Sequence, residues 1–251
     1  MDEQYIFGRN PVLEILKSGK EIEKIFIIKG ELKGSINKII GIAKNRNIII
    51  QQVEKQKLDQ IAKGSSHQGV VALVTPYVYF SIDDILKKAE SLEEPPFVII
   101  LDEIKDPHNL GSIIRTAECG GAHGIIIPKR RAAHVTSTVY KSSAGAVEHM
   151  MIAKVNNISD TIEELKDKGF WIYGADIESE EYYFNTDLGG PVALVIGSEG
   201  KGISRLVKEK CDFLLKIPML GKVSSLNASN AASILIYEVV KQSYEKKRKK
   251  I

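Results

Sequence analysis

The chain has 251 residues, of which 43% are hydrophobic and 27% are charged, proportions that fit a globular protein of one large domain or two unequal domains. Its longest apolar runs are shorter than the roughly 20 residues needed to cross a bilayer. Residues 1–5 lack the basic and apolar regions of a secretory signal. Two cysteines, Cys119 and Cys211, cannot form a disulfide framework. We therefore expect a cytoplasmic protein with buried, reduced thiols.

The net charge of +3 is unevenly distributed along the chain. Residues 1–75 hold 12 basic against 8 acidic residues, residues 76–240 hold 17 against 23, and residues 241–251 hold 6 against 1. Basic residues therefore concentrate at the two ends. This asymmetry indicates a protein that binds a polyanion with its accessory parts, although a lysine-rich tail also serves simply as a solubilising end.

Residues 1–75 are predicted to form a small α/β domain, since short apolar strands alternate with amphipathic helices. The predicted helices lie at 11–17, 36–44 and 57–62, and the predicted strands at 24–28, 48–52 and 70–74. Gly19 is expected to end the first helix. This alternation favours a sheet flanked by helices.

Residues 76–96 are predicted to form a linker. Pro76 opens this stretch, the Glu-Glu-Pro-Pro sequence at 93–96 closes it, and one possible helical turn lies at 82–90. Prolines beside like charges are typical of linkers.

Residues 97–251 are predicted to form a second, larger α/β domain. Short apolar strands are expected at 97–101, 124–127, 150–153, 170–174, 192–196 and 213–216, with intervening helices that include 110–118, 136–142, 158–168 and 226–242. Fully apolar strands that alternate with helices predict a parallel sheet covered by helices on both faces.

A polar turn follows the last predicted strand. Pro218 and Gly221 lead into Ser224, Ser225 and Asn227, residue types that favour helix caps, and an alanine-rich helix comes next. Ligands of open α/β sheets bind where strands end in this way. Without further motifs, an ordinary loop and helix cap remains the simpler interpretation.

A glycine-rich turn at 197–202 follows the strand at 192–196. It lacks the complete dinucleotide-binding pattern, which begins after a first strand and carries an acidic residue about 20 positions downstream. It also lacks the Lys-Ser/Thr ending of a phosphate-binding loop. A Rossmann cofactor site is therefore disfavoured, but glycine-rich backbone can still approach a flat base closely.

Three segments in order, residues 109–115, 197–202 and 217–227, resemble the motifs of the SpoU (TrmH) family of RNA ribose 2′-O-methyltransferases, in the SPOUT superfamily. The resemblance implies a C-terminal trefoil knot, which general topology rules alone would exclude. Residues 7–12 and 66–72 resemble the N-terminal, ribosomal-protein-like RNA-binding domain of the members that modify rRNA.

The resemblance implies that S-adenosyl-L-methionine is the cofactor. It would lie against Gly197, Ile217 and Leu226, with the backbone of Met219 and Gly221 nearby. Plain core packing is the alternative for Ile217 and Leu226.

The resemblance also places the catalytic chemistry. Arg115 would carry catalysis, Asn109 and Glu199 would position Arg115 and the RNA, and Ser225 and Asn227 would hold the ribose or the loop. Because arginine keeps its proton in proteins, we expect it to stabilise the phosphate and the developing alkoxide electrostatically. A surface salt bridge for Arg115, helix capping for Ser225 and proton acceptance by Glu199 remain alternatives.

RNA contacts are expected from Arg9 and His67 in the first domain and from Lys129, Arg130 and Arg131 in the second. A turn that contains His67, and an ordinary solvated turn at 129–131, are the alternatives.

No metal site is predicted. His108 and His134 lack a second histidine or cysteine at metal-ligand spacing.

Taken together, these patterns and the resemblance predict a cytoplasmic RNA 2′-O-methyltransferase that acts on structured RNA. The resemblance is greatest to the enzymes that methylate a guanosine in 23S rRNA, and it implies a homodimer. A tRNA guanosine methyltransferase and a non-catalytic RNA-binding factor on the same fold are the alternatives.

Overall fold

The computed structural model describes residues 4–19, 22–30, 34–74 and 77–248. The chain divides into two compact units. The first comprises the residues up to Val78 together with His134–His149, and the second comprises Tyr79–Ala133 and the residues from Met150 onward.

The strands are β1 Gln4–Phe7, β2 Ile22–Ile28, β3 Ile49–Val53, β4 Val70–Val74, β5 Phe97–Leu101, β6 Gly124–Pro128, β7 Met151–Val155, β8 Trp171–Ala175, β9 Val192–Ile196 and β10 Phe213–Leu215. The helices are α1 Arg9–Ser18, α2 Ser35–Asn45, α3 Lys55–Ala62, α4 Ile82–Ser91, α5 Pro107–Cys119, α6 Ser137–Ser142, α7 Ile158–Asp167, α8 Arg205–Lys210 and α9 Ala228–Arg248. Most lie within a few residues of their predicted positions, whereas β1 and α8 were not predicted.

The first unit contains a mixed sheet of four strands in the order β1-β4-β2-β3. Strand β4 runs antiparallel to β1 and β2, and β2 and β3 are parallel. As expected, α1 ends at Gly19, whose φ of 81° lies in the left-handed region that glycine tolerates.

The segment His134–His149 leaves the second unit after β6 and belongs to the first. Ser18 donates a hydrogen bond to Glu148 over 3.2 Å, and His149 lies 3.5 Å from Glu14. Gly145 packs so closely that a Cβ there would lie 2.4 Å from the Cβ of Glu14. The domain boundary predicted at residues 76–96 assigns His134–His149 to the second domain, so it does not account for this segment of the first unit.

The second unit contains a six-stranded sheet in the order β10-β8-β9-β5-β6-β7, and every neighbouring pair is parallel. Residues of α4, α7 and α8 form one buried cluster with the strands, while α5 and α9 pack together on the sheet as a second layer. The predicted α/β architecture with a parallel sheet is confirmed, and the central strands β5 and β9 are buried on both faces.

The segment predicted as a linker contains helix α4, and its Pro76 lies outside the described residues. Helix α4 begins with a capping box between Ser81 and Asp84, and its Ile85 is fully buried. Before it, Phe80 donates a backbone hydrogen bond to Ile152 over 2.9 Å. One apolar face of a charged helix is sufficient to attach it to the sheet.

Helix α9 extends beyond its predicted end and is held near the segment that joins β8 to β9. Gln242 donates to the Thr186 carbonyl over 3.0 Å and accepts from the Leu188 amide over 2.9 Å, and Lys246 lies 2.6 Å from Asp187. Among the residues that the structure describes, no helix combines the length and apolar character required to span a membrane.

The packing of α4 predicts coupled effects at Ile85 and Gly124. A Cβ on Gly124 would lie 2.4 Å from Ile85 Cδ1. We expect Ile85→Ala to lower the free energy of unfolding by about 2–5 kcal/mol, and Gly124→Ala by about 1–3 kcal/mol. The double variant should lose less than the sum, since truncation of the isoleucine side chain leaves room for the new methyl group.

Urea denaturation of the two single variants and the double variant measures this coupling. The control is Gly41→Ala within α2, where a Cβ meets no atom within 4 Å. A helix-interior glycine replaced by alanine should be neutral or stabilising. Near-neutral effects at both Ile85 and Gly124 would instead show that α4 is a detached linker.

Candidate active site

The carboxyl ends of β10, β8 and β9 open into a cavity of about 520 Å³. Its wall includes Asp176 after β8, Gly197 after β9 and Ile217 after β10. This is the edge of a parallel sheet at which ligands bind. The volume is that of a site for a small molecule or cofactor.

The predicted cofactor-binding residues are placed as follows. Gly197, Ile217, Met219 and Leu226 line the cavity, whereas Gly221 does not. Gly221 is exposed, and a Cβ there would meet no atom within 4 Å. The structure therefore brings together four of the five and leaves Gly221 at the surface.

The glycine turn closes on itself. Ser198 donates to the Gly202 carbonyl over 3.0 Å, and Gly202 donates to the Ser198 carbonyl over 2.9 Å. A Cβ on Gly197 would lie 2.0 Å from the carbonyl carbon of Gly202 and 2.2 Å from the nitrogen of Ile203. Glycine is therefore required at position 197 because the turn closes on itself. This requirement is independent of the proposed approach of the backbone to a flat base.

Three polar side chains from the three family-like segments meet beside this turn. Asn109 donates to Glu199 Oε1 over 3.0 Å, and Asn227 donates to Asn109 Oδ1 over 3.0 Å. Asn227 also donates to Glu199 Oε1. The side chain of Asn109 is buried. We call these three residues the polar network.

Asn227 also caps helix α9. Its Oδ1 accepts hydrogen bonds from the Ser229 amide over 2.8 Å and from the Ser229 hydroxyl over 2.6 Å. The Asn227 side chain therefore accepts the hydrogen bonds of the first turn of α9 and also holds the Glu199 carboxylate in place. Ser225, which was considered for this capping role, is exposed and lines the cavity together with Ser224.

Arg115 lies apart from the polar network. It is exposed, it does not line the cavity, and the structure gives its side chain no hydrogen bond or ion pair with any described residue. Six residues of α-helix place Arg115 about 9 Å along α5 from Asn109 and about 120° around it. Within the described ranges, no residue forms the salt bridge that is the alternative role for Arg115.

The wall of the cavity carries an ion pair that was not predicted from the sequence. Asp176 Oδ2 lies 2.5 Å from Lys208 Nζ, and the side chain of Asp176 is 10% exposed. Glu178 lies 3.0 Å from the same ammonium group. Hydrogen bonds from Lys208 to Asp176 and then to Glu178 raise the pKa of the lysine. The available signal was an acidic residue two positions after the predicted strand at 170–174.

Basic side chains follow β6 on the same edge of the sheet. Lys129, Arg130 and Arg131 are exposed, and Arg131 lies 3.6 Å from Glu103. The φ of Arg131 is 59°, so the turn is tight. We call residues 129–131 the basic turn.

In the first unit, Arg9 and His67 surround the turn before β4. Arg9 Nε donates to the Gln68 carbonyl over 3.0 Å. His67 is buried, its Nδ1 accepts from the Gly69 amide over 3.0 Å, and its Nε2 lies 2.9 Å from Asp59. Both ring nitrogens are therefore engaged inside the protein, in agreement with the turn role considered beside RNA contact.

Metal ligands do not cluster in the described part of the chain. There, no group of three or more His, Cys, Asp or Glu side chains is arranged to hold an ion.

Comparison with known proteins defines the class. Residues 5–80 match the family model described as RNA 2′-O ribose methyltransferase substrate binding, and residues 96–237 match the SpoU rRNA Methylase family. These two matches define the class of the protein as an RNA methyltransferase. The chain belongs to the SpoU rRNA methylase family.

Individual relatives are similar to this protein over most of its chain. YacO of Bacillus subtilis (strain 168), assigned to the TrmH family of tRNA/rRNA methyltransferases, is 53% identical over 238 residues, or 95% of each chain. The SpoU methyltransferase AviRb from Streptomyces viridochromogenes, in complex with AdoMet, has a TM-score of 0.80 at 25% identity and covers 97% of this chain and 91% of its own. An A. aeolicus TrmH/SpoU tRNA modifying enzyme has a TM-score of 0.56 at 27% identity, covering 65% and 86%.

The closed glycine turn yields a prediction. We expect Gly197→Ala to lower the free energy of unfolding by about 1–3 kcal/mol, since the methyl group meets backbone that cannot rotate away. The control is Gly221→Ala, for which surface exposure predicts a change within about 0.5 kcal/mol. Urea midpoints of both variants measure the difference. Equal midpoints would show that the turn is not closed as described.

Proposed function

We propose that the protein transfers a methyl group from S-adenosyl-L-methionine to a ribose 2′-hydroxyl of structured RNA, and that its target is a guanosine in 23S rRNA. The observation that carries this proposal is the polar network of Asn109, Glu199 and Asn227 beside the cavity. It joins three family-like segments at the edge of the sheet where a cofactor would bind.

The cavity fits this cofactor. Ile196, Ile203 and Leu215 are buried apolar residues of its wall, and Ile217 and Leu226 add partly exposed apolar side chains that suit a flat adenine ring. Backbone groups of the turns can pair with the edge of the base. When bound, the cofactor supplies an electrophilic methyl group.

Glu199 orients the reacting hydroxyl in this proposal. The amides of Asn109 and Asn227 both donate to its Oε1, while its Oε2 has no hydrogen bond within the described ranges. That oxygen can accept a hydrogen bond from the ribose 2′-hydroxyl and can take its proton as the bond to carbon forms. The two asparagines restrict the carboxylate to the orientation this requires.

Arg115 supplies a positive charge to the phosphate and the developing alkoxide, but at the cavity of a second subunit. Its exposed position on α5, away from its own cavity, supports this role. Exposed Tyr237 and Tyr244 on the neighbouring helix α9 would join the same contact surface of a homodimer. A guanidinium that stays charged acts by electrostatic stabilisation rather than by accepting a proton.

RNA would follow the carboxyl edge of the sheet. The order of the strand ends, β10, β8, β9, β5 and β6, places the cavity first, the start of α5 next and the basic turn beyond it. Lys129 and Arg130 would contact phosphates there. We further propose that residues 5–80 bind the RNA substrate, that α9 completes a trefoil knot, and that the protein works in the cytoplasm.

Mapping ribose methylation in total RNA from cells with and without the protein identifies the target. Loss of one methylated guanosine in 23S rRNA supports the proposal. Loss of a tRNA ribose methyl group would assign the enzyme to tRNA instead. An unchanged map, with RNA binding retained, would indicate a non-catalytic RNA-binding factor.

Arg115→Ala is predicted to abolish most catalysis without loss of cofactor affinity. Removing one electrostatic stabiliser should lower kcat about 100- to 1,000-fold. The affinity for S-adenosylhomocysteine, measured by calorimetry, should stay unchanged because Arg115 does not line the cavity. Arg115→Lys retains the charge and should lose less activity. Collapse of cofactor affinity in Arg115→Ala would contradict the assignment.

A mixing experiment tests whether Arg115 acts in the partner's cavity. Arg115→Ala homodimers are mixed with Asn227→Ala homodimers, which retain Arg115 but lose the polar network, and subunits are exchanged. Each parent should be nearly inactive. Activity should return in the mixture, since the Arg115→Ala subunit then has an intact cavity facing a wild-type arginine. No recovery after confirmed exchange would show that Arg115 serves its own subunit.

The basic turn is predicted to contribute to the salt dependence of RNA binding. Lys129→Gln combined with Arg130→Gln removes two exposed charges and should reduce the slope of log affinity against log salt by about 1–2. The control is Lys168→Gln with Lys247→Gln, which removes two lysines near the opposite edge of the sheet. Filter binding across a salt series should show a reduced slope for the first pair, and equal slopes would exclude phosphate contact by the basic turn.

A further inference from the structure

The Asp176 carboxylate is a polar group in the cavity to which neither the family-like motifs nor the proposed catalytic steps assign a role. It lies at the carboxyl end of β8, between β9, which leads into Gly197, and β10, which leads to Ile217. Its backbone amide donates to the Leu215 carbonyl over 2.9 Å, which fixes the residue against β10.

The carboxylate is preorganised rather than free to rotate. Its Oδ1 accepts from the Glu178 amide over 2.8 Å, and its Oδ2 lies 2.5 Å from Lys208 Nζ. With the side chain only 10% exposed, both oxygens are held in place. Each carboxylate oxygen has a second lone pair, so the group can still accept hydrogen bonds from a ligand.

The charge balance around Asp176 favours a ligand group that is a neutral hydrogen-bond donor over a cationic one. Lys208 already neutralises Asp176, and a nearly buried charge with its counter-ion gains little from a second cation. A vicinal diol supplies two neutral O–H donors at the spacing of a carboxylate. Dinucleotide-binding folds recognise ribose in this way, with an acidic residue that follows the strand next to the glycine turn.

The same spatial arrangement occurs here in a different chain order. The glycine turn follows β9, and Asp176 follows the neighbouring parallel strand β8, so the acid precedes the turn in sequence. We propose that Asp176 binds the ribose hydroxyls of the adenosine cofactor, while Lys208 positions its carboxylate. This inference rests on the proposed cofactor site.

The test compares S-adenosylhomocysteine with its 2′-deoxy and 3′-deoxy analogues by calorimetry, on wild type and on Asp176→Asn. Wild type should bind at least one deoxy analogue about 10- to 100-fold more weakly, the expected loss of a hydrogen bond to a charged group. Asp176→Asn should weaken S-adenosylhomocysteine by a similar factor. In Asp176→Asn, the difference in affinity between S-adenosylhomocysteine and its deoxy analogues should largely disappear, since the hydroxyl and the carboxylate act as a coupled pair.

Two further comparisons separate this role from others. The control Glu163→Gln removes a carboxylate that pairs with Lys210 of α8 over 2.8 Å outside the cavity, and it should leave affinities unchanged. 5′-Methylthioadenosine keeps the ribose but lacks the amino acid, so Asp176→Asn should weaken it as much as S-adenosylhomocysteine. If Asp176→Asn bound S-adenosylhomocysteine more weakly but 5′-methylthioadenosine unchanged, Asp176 would be assigned to the ammonium group and the proposal would be overturned.

The outcomes also distinguish this inference from the proposed function. The ribose contact is overturned if wild type binds the deoxy analogues as tightly as S-adenosylhomocysteine. It is also overturned if Asp176→Asn still binds them more weakly by the full wild-type factor. In both cases the cofactor site itself stands. The wild-type comparison needs no variant and therefore does not depend on how Asp176→Asn folds. Failure of wild type to bind S-adenosylhomocysteine at all would overturn the cofactor site itself.

Discussion

Two amide groups and one carboxylate hold together turns that lie far apart in the chain. Asn109, Glu199 and Asn227 each follow or begin a different element, and the parallel sheet brings those elements to one edge. A hydrogen bond to a charged group contributes about 1.5–3 kcal/mol, and an unpaired buried amide costs a similar amount. Asn109 is the buried member, whereas Glu199 and Asn227 are exposed. Loss of Glu199 or Asn227 therefore leaves one end of the buried Asn109 amide without its partner, so the cavity wall and the start of α9 are formed together.

Much of the fold was predictable because local pattern and burial agree. Strands such as β5 and β9 are wholly apolar and fully buried, and their bounds were predicted without error. The exceptions have weak local signals. Strand β1 has four residues and α8 has six, both too short for a periodic pattern. Helix α4 carries many charges, so its single buried face was mistaken for part of a linker.

The candidate site was predictable in part. The convergence of residues 109, 199 and 227 and the cavity positions of Ile217 and Leu226 follow from motif order at strand ends. Gly221 belongs to the 217–227 segment but is exposed and does not line the cavity, since membership of a motif does not by itself place a residue in the cavity wall. Asp176 precedes the glycine turn along the chain, whereas the dinucleotide-binding pattern places the acid after the turn. Adjacent strands in a sheet need not be consecutive, so spatial neighbours can occur in either order.

The excursion of His134–His149 into the first unit makes that unit discontinuous along the chain. A fragment that ended after β4 would lack Glu148 and His149, and would expose the surface of α1 that they contact. Deleting the first 78 residues would in turn remove β1 and α1, against which α6 packs. Neither half can therefore be released intact by one cleavage, and stability measured on such fragments would understate that of the whole chain.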